Sequence, residues 1–257
     1  MECGERGIDL SPWGGPAPAF GDAAALLETL EAIGHRRGLG NLLAEGLRRA
    51  SELVGQGSDR WAMHVKGLEL PGYDPRKLQT MALGLAVATR GACHNRSSAY
   101  EADFSDALDP NAEAQARAVA AVAAEDQAAL LDSLTVCKFL RHVFADLPEE
   151  TAELHRLVTG METTGDDLRR AGTSITGVKK RFNERMGWTR ALDTLPPRLL
   201  GEDDGAGPGV AAPTGGSPLT RDRLDAMVDA YYAARGWSAD GRVGASAGRP
   251  AGEELVG

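Results

Sequence analysis

Cysteine is scarce in this chain of 257 residues, which has 3: Cys3, Cys93 and Cys137. An odd number at such wide spacing excludes a disulfide framework. No Cys-x2-Cys pair is present to hold a structural zinc. Aromatic residues make up only 5%. Long apolar runs are missing as well, and none reaches the ~18 residues of a membrane span. The opening Met-Glu-Cys-Gly-Glu-Arg lacks the basic-then-apolar order of a secretory leader. A cytoplasmic protein with reduced thiols, and no membrane partner, is expected. Positive charge is in deficit, with 28 Lys and Arg against 37 Asp and Glu for a net charge of -9. Its arginines are scattered among acids, so the concentrated basic face that nucleic acid requires is not there. The run Lys179, Lys180, Arg181 reads as a solvated helix face. No internal repeat is found.

Alanine fills much of the apolar quota, and alanine is the best helix former. A mainly α fold follows. Residues 11–21, rich in Pro and Gly, read as a loop, and Asp22 stands as an N-cap before Leu26, Leu27, Leu30 and Ile33. A second, amphipathic helix carries Leu42, Leu43, Leu47, Leu53 and Val54. Residues 61–70 read as extended, with turns at Pro71-Gly72 and Asp74-Pro75. Further helices are expected over 76–89, 112–125, 127–145 and 166–186, with one starting near Pro148. The 127–145 helix contains Asp132 and Cys137. Residues 1–200 form the helical body and 201–217 a flexible linker. Residues 218–257 hold a helix over about 219–235, packing back through Leu224, Met227 and Tyr231, and a mobile tail.

From residue type and spacing alone, the chemistry stays open. Cys93, His94 and Cys137 are soft or borderline ligands that a fold could bring together. The competing reading makes Cys93 and Cys137 small buried hydrophobes, Asp132 a cap or an arginine's partner, and His94 a core histidine.

The segments GLGNLLAEGLRRASELVGQGSDRWAMHVKGLELPGYDPR (38–76), RGACHN (90–95), KKRFNERMGWTRALDTLPPRLL (179–200) and YYAARGW (231–237) break that balance. In order and separation they resemble the tungsten-pterin aldehyde:ferredoxin oxidoreductase family, C-terminal helical domains only. The resemblance implies a multi-helix orthogonal bundle like that family's domains 2 and 3. It also implies the family's cofactors: tungsten, or molybdenum in some relatives, held by two pterins beside a 4Fe-4S cluster. The reaction implied is oxidation of aldehydes to carboxylic acids with electrons leaving to ferredoxin. By the same resemblance, Asp132 in Asp132-Ser133-Leu134-Thr135-Val136-Cys137 contacts a pterin, together with Val136. Cys137 binds the cluster as a thiolate, Asp9 meets the other pterin, and His94 faces the substrate as the catalytic residue.

Departures from the family pattern point to an incomplete site. Thr135 stands where the family has Gly, Val136 where it has Leu, and Gly4 where an Asp is usual. The family's Cys-x2-Cys-x3-Cys run and its N-terminal pterin base are not in this sequence. Two expectations follow. The chain is the C-terminal portion of an aldehyde-oxidising enzyme, working with an N-terminal pterin-binding chain and ferredoxin. Alternatively, it is a non-catalytic truncated paralogue, a helical binding module with no cofactor of its own. A large apolar face exposed around His94 and Cys137 would favour the first.

Overall fold

The computed structural model describes residues 1–105, 108–109, 112–202 and 218–244. Most of the expected linker and the end of the expected tail lie outside these residues. The N-terminal part holds α1 (Glu2–Glu5), α2 (Ala23–Gly34), α3 (Leu39–Leu43) and α4 (Leu47–Val54). Asp22 caps α2 as expected, accepting from the Ala25 amide at 2.9 Å. The second expected helix is two helices. Gly46 turns left-handed (φ 82°) between them, and Glu69 accepts the Leu47 amide at 2.9 Å to start α4. A Cβ on Gly40 would lie 2.2 Å from the Ala32 carbonyl carbon, so α2 and α3 cross backbone against backbone. Ile8, Leu10, Leu39, Leu42 and Ala50 form this region's small core. Arg198 reaches it from the other end of the chain, with Nη1 donating to Glu2 Oε2 at 2.9 Å.

The extended segment at 61–70 is a hairpin of β1 (His64–Val65) and β2 (Leu68–Glu69), antiparallel, with Val65 opposite Leu68. Its two turn residues, Lys66 (φ 53°) and Gly67 (φ 89°), are both left-handed. That is the two-residue turn that favours Asn-Gly, and a lysine in its first position is strained.

Next comes α5 (Gln79–Val87), with all nine of its residues buried. It starts later than the expected residue 76 because its first turn is capped from a distance. Asp103, on α7 (Tyr100–Phe104), accepts the Thr80 and Met81 amides at 3.0 and 2.9 Å. The buried Arg117 holds that carboxylate at 3.0 Å. Around α5 lie α6 (His94–Ser97), α7, α8 (Ala114–Ser133) and α11 (Arg221–Ala234), while α10 (Gly165–Arg185) packs on α8 and α9 (Leu147–Thr159) on α10. The mainly α expectation holds. Leu224, Met227 and Tyr231 of α11 are buried in the main core with α5, as expected.

Two further expectations are overturned. The helices at 112–125 and 127–145 are one helix, α8, which stops at Ser133 and leaves Cys137 in a loop. Nothing breaks the chain at 126, where Asp126 binds Arg235 Nη1 at 2.5 Å. Leu134 caps the helix instead. The Thr135 amide bonds Asp132 O at 3.4 Å and the Val136 amide bonds Leu131 O at 3.0 Å, the paired bonds of a left-handed helix terminus. The second correction concerns the basic run at 179–181. Lys180 is buried, its side chain only 1% exposed, because a carboxylate waits for it inside.

That carboxylate belongs to Asp193, whose side chain is wholly buried. Lys66 Nζ lies 2.8 Å from Oδ1 and Lys180 Nζ 2.9 Å from Oδ2. Trp188 Nε1 donates to Oδ1 at 3.0 Å and Tyr232 to Oδ2 at 2.6 Å. Lys180 Nζ also sits 3.0 Å from the centre of the Trp188 ring, a cation–π contact. Burial pushes the Lys180 amine down to about 8, against the pull of Asp193. The folded chain therefore releases this proton near pH 8, while the unfolded chain keeps it until about 10.5. Between those values the unfolded state binds more protons, so this group makes stability rise with pH. Urea titrations of the wild type and Lys180→Met at pH 7, 8, 9 and 10 should show the wild type gaining on the variant above pH 8. Parallel curves would rule this out.

Candidate functional site

The RGACHN segment delivers His94 as the first residue of α6, with the buried Cys93 as its N-cap. His94 is half-buried, and burial with the nearby Lys138 ammonium holds its imidazole below the ordinary range. It is therefore neutral near pH 7, able to donate from one ring nitrogen and accept at the other. Tyr73 meets His94 edge to face, with ring centroids 6.4 Å apart. Its hydroxyl is buried with no hydrogen-bond partner among the described residues. Burial pushes that hydroxyl up to about 12, with Tyr100, Asp103 and Cys93 adding to the effect. Tyr73 thus keeps its proton as a donor.

Arg96, two residues after His94, pairs with Asp132 in the last turn of α8. The contact carries the two sequence motifs onto one surface. Lys138 adds a second tie, donating to Asn95 O at 2.5 Å. Burial brings the Lys138 ammonium down to about 8, with Arg141 adding to the shift. Arg141 pairs in turn with Glu101 of α7. Cys137 stands exposed between these ties, at the start of the short turn Lys138–Leu140. Beside it Phe139 is 87% and Val143 70% exposed, with Leu140 also open to solvent.

Three of the expected residues, His94, Asp132 and Cys137, thus share one face. Val136 lies beneath it. Its side chain packs on the cluster of Leu130, Leu131, Leu147, Ala152 and Leu168, an apolar contact of the kind that accompanies a left-handed helix terminus. Asp9 is elsewhere, on the N-terminal core, where it accepts the Ser11 amide at 2.8 Å and the Ser11 hydroxyl at 2.7 Å. Those bonds, the amide's first, hold its carboxyl below the ordinary range. Of the two thiols weighed as buried hydrophobes, Cys93 is buried and Cys137 is not. Sequence reasoning missed Tyr73, Arg96 and Lys138. Arg96 was signalled only by the general expectation that Asp132 could pair with an arginine.

The donor set can be tested against the cofactors that the family resemblance implies. A 4Fe-4S cluster takes four thiolates. Among the described residues, no three His, Cys, Asp or Glu side chains gather as a metal site. The chain fits such a cluster at one corner, through the exposed Cys137, and does not fit it whole. The carboxylate of Asp132 fits better. Arg96 Nη1 contacts one of its oxygens, a carboxylate offers about four acceptor sites, and the side chain is 43% exposed.

Comparison with known proteins gives a consistent picture. A family model described as aldehyde ferredoxin oxidoreductase, domains 2 & 3, matches residues 1–248. The tungsten-containing aldehyde ferredoxin oxidoreductases of Thermococcus kodakarensis and Pyrococcus furiosus are 31% and 32% identical to this chain over 249 residues. The match covers 95% of this chain and 39% of theirs, so the chain spans well under half the length of these relatives. The active site complex BamBC of benzoyl coenzyme A reductase, solved with 1,5-dienoyl-CoA, has the same fold, with a TM-score of 0.67 at 17% identity. That likeness covers 94% of this chain and 40% of the other.

Two substitutions test the local physics. Thr135 holds φ at 58°, a left-handed conformation unfavourable for a β-branched residue. Thr135→Gly should stabilise the chain by about 1 kcal/mol in urea unfolding; a loss of stability would show that the threonine is not strained. Tyr73→Phe removes a hydroxyl that burial leaves unpaired. It should raise stability by roughly 1 kcal/mol or more in a thermal melt. Lower stability would mean the hydroxyl has a partner in solution.

Proposed function

The chain belongs to the aldehyde ferredoxin oxidoreductase family, and from that premise we propose that it supplies the helical portion of an enzyme that oxidises aldehydes to carboxylic acids and passes electrons to ferredoxin. It acts together with a second, N-terminal chain that brings the pterin base and the other three cluster cysteines. The observation that carries this reading is one exposed face. Asp132, Cys137 and the neutral His94 open onto it, bordered by Phe139 and Val143, large apolar side chains left to solvent. Apolar exposure beside a chemically equipped surface favours a missing partner over a self-sufficient protein.

Within this proposal each residue has its own task. Asp132 accepts hydrogen bonds from the N–H edge of a pterin, and Arg96 keeps its carboxylate aimed. Cys137 gives one thiolate to the cluster. His94, neutral, takes up or hands on a proton at the substrate oxygen. Tyr73 donates a hydrogen bond from the hydroxyl that has no partner among the described residues. When bound, a tungsten or molybdenum bis-pterin supplies the two-electron oxidation and a 4Fe-4S cluster relays the electrons.

A second reading is a non-catalytic helical module of the same family. It is favoured at the first motif, where Gly4 carries no acceptor and the Asp9 carboxylate is turned onto Ser11. One experiment separates the two. The tagged chain is purified from its native host, its tungsten, molybdenum and iron are measured, and co-purifying chains are identified. Tungsten or molybdenum with iron, and a partner bearing a Cys-x2-Cys-x3-Cys run, is the expected result. Metal-free protein without such a partner would leave the module reading.

A further inference from the structure

The last carbonyls of a helix have no partners within it, and those of α5 lead directly into the loop that presents His94. No basic residue lies in the last turn of α5. The cation comes from the hairpin instead. Lys66 Nζ donates to Ala86 O at 2.5 Å and to Ala88 O at 3.1 Å, and its third contact is Asp193 Oδ1 at 2.8 Å. An ammonium has three donors, and all three are used. The next carbonyl, Thr89 O, accepts from Asn183 Nδ2 of α10 at 2.5 Å. Two residues on, a Cβ at Gly91 would lie 2.2 Å from Val65 O, so the loop rests directly on the hairpin strand. Cys93 and His94 follow at once.

We propose that Lys66 is the positioning residue for the loop carrying His94, bolting the end of α5 to the hairpin and to Asp193. The proposal takes the role of His94 from the reading given above. The turn geometry supports it independently. Lys66 occupies a left-handed position (φ 53°) where Asn suits the turn better. A side chain that served only the hairpin would gain from being Asn; a lysine there is explained by what its ammonium reaches.

The test is Lys66→Asn in the full chain, read by native-state amide hydrogen exchange and by NMR titration of the His94 ring. Exchange across residues 89–94 should rise roughly tenfold or more as charged hydrogen bonds are lost. The hairpin amides should stay as protected as before, because Asn-Gly suits the turn. The His94 titration should move up toward the ordinary histidine range as the loop admits water. Lys66→Arg carries the test if the first variant does not fold. It keeps the charge facing Asp193, but a planar guanidinium cannot serve three acceptors arranged around an ammonium. Loop exchange should still rise, by a smaller factor. Unchanged loop exchange and His94 titration would overturn the proposal, as would exchange that rises equally throughout the chain. These readouts need no metal. A metal-free, partnerless protein with a loosened loop would sink the enzymatic reading and leave the role of Lys66 in place.

Discussion

One buried carboxylate organises most of this fold. Asp193 takes contacts from the hairpin through Lys66, from α10 through Lys180, from the chain after α10 through Trp188, and from α11 through Tyr232. Burial opposes its charge, and the two ammoniums outweigh burial, holding the carboxyl below its ordinary range. Two positive charges against one negative would be costly in an apolar interior. The excess is spread over the aromatic face of Trp188 and the carbonyl end of α5. Asp193 is the member the others depend on: without it the ammoniums of Lys66 and Lys180 would be left buried with no opposing charge.

Much of the fold was legible because its signals are local. Asp22 before an apolar repeat, Pro148 near a helix start, and the Pro71-Gly72 and Asp74-Pro75 turns after the hairpin all act on neighbouring residues. What was not legible acts at a distance. Lys180 read as solvated because its neighbours Lys179 and Arg181 are charged; the carboxylate that buries it is 13 residues further on. The start of α5 is set by Asp103, more than 20 residues away. Cys137 seemed to lie within a helix because no Gly or Pro marks the stop at Ser133. The stop is made by Thr135 in a conformation that glycine normally supplies, with the Val136 amide bonded back to Leu131 O.

The candidate site was legible in part for the same reason. His94, Asp132 and Cys137 came from motifs, and the fold gathers them through ties that no spacing rule reveals: Arg96 to Asp132 and Lys138 to Asn95. The left-handed terminus of α8 has a second effect there. It folds Val136 under and turns Cys137 out, so neighbouring residues of one motif face opposite ways, one toward the core and one to solvent. Asp9 keeps the right identity in a setting where Ser11 already uses its oxygens.

The ion pair between Glu2 and Arg198 joins positions 196 apart in sequence. Closing so long a loop is entropically slow. During synthesis Glu2 emerges long before Arg198, so this pair closes only after almost the whole helical body has left the ribosome. The apolar cluster of Ile8, Leu10, Leu39, Leu42 and Ala50 is drawn from one short stretch and needs no such delay, so the ion pair is a late latch closed on a core already assembled.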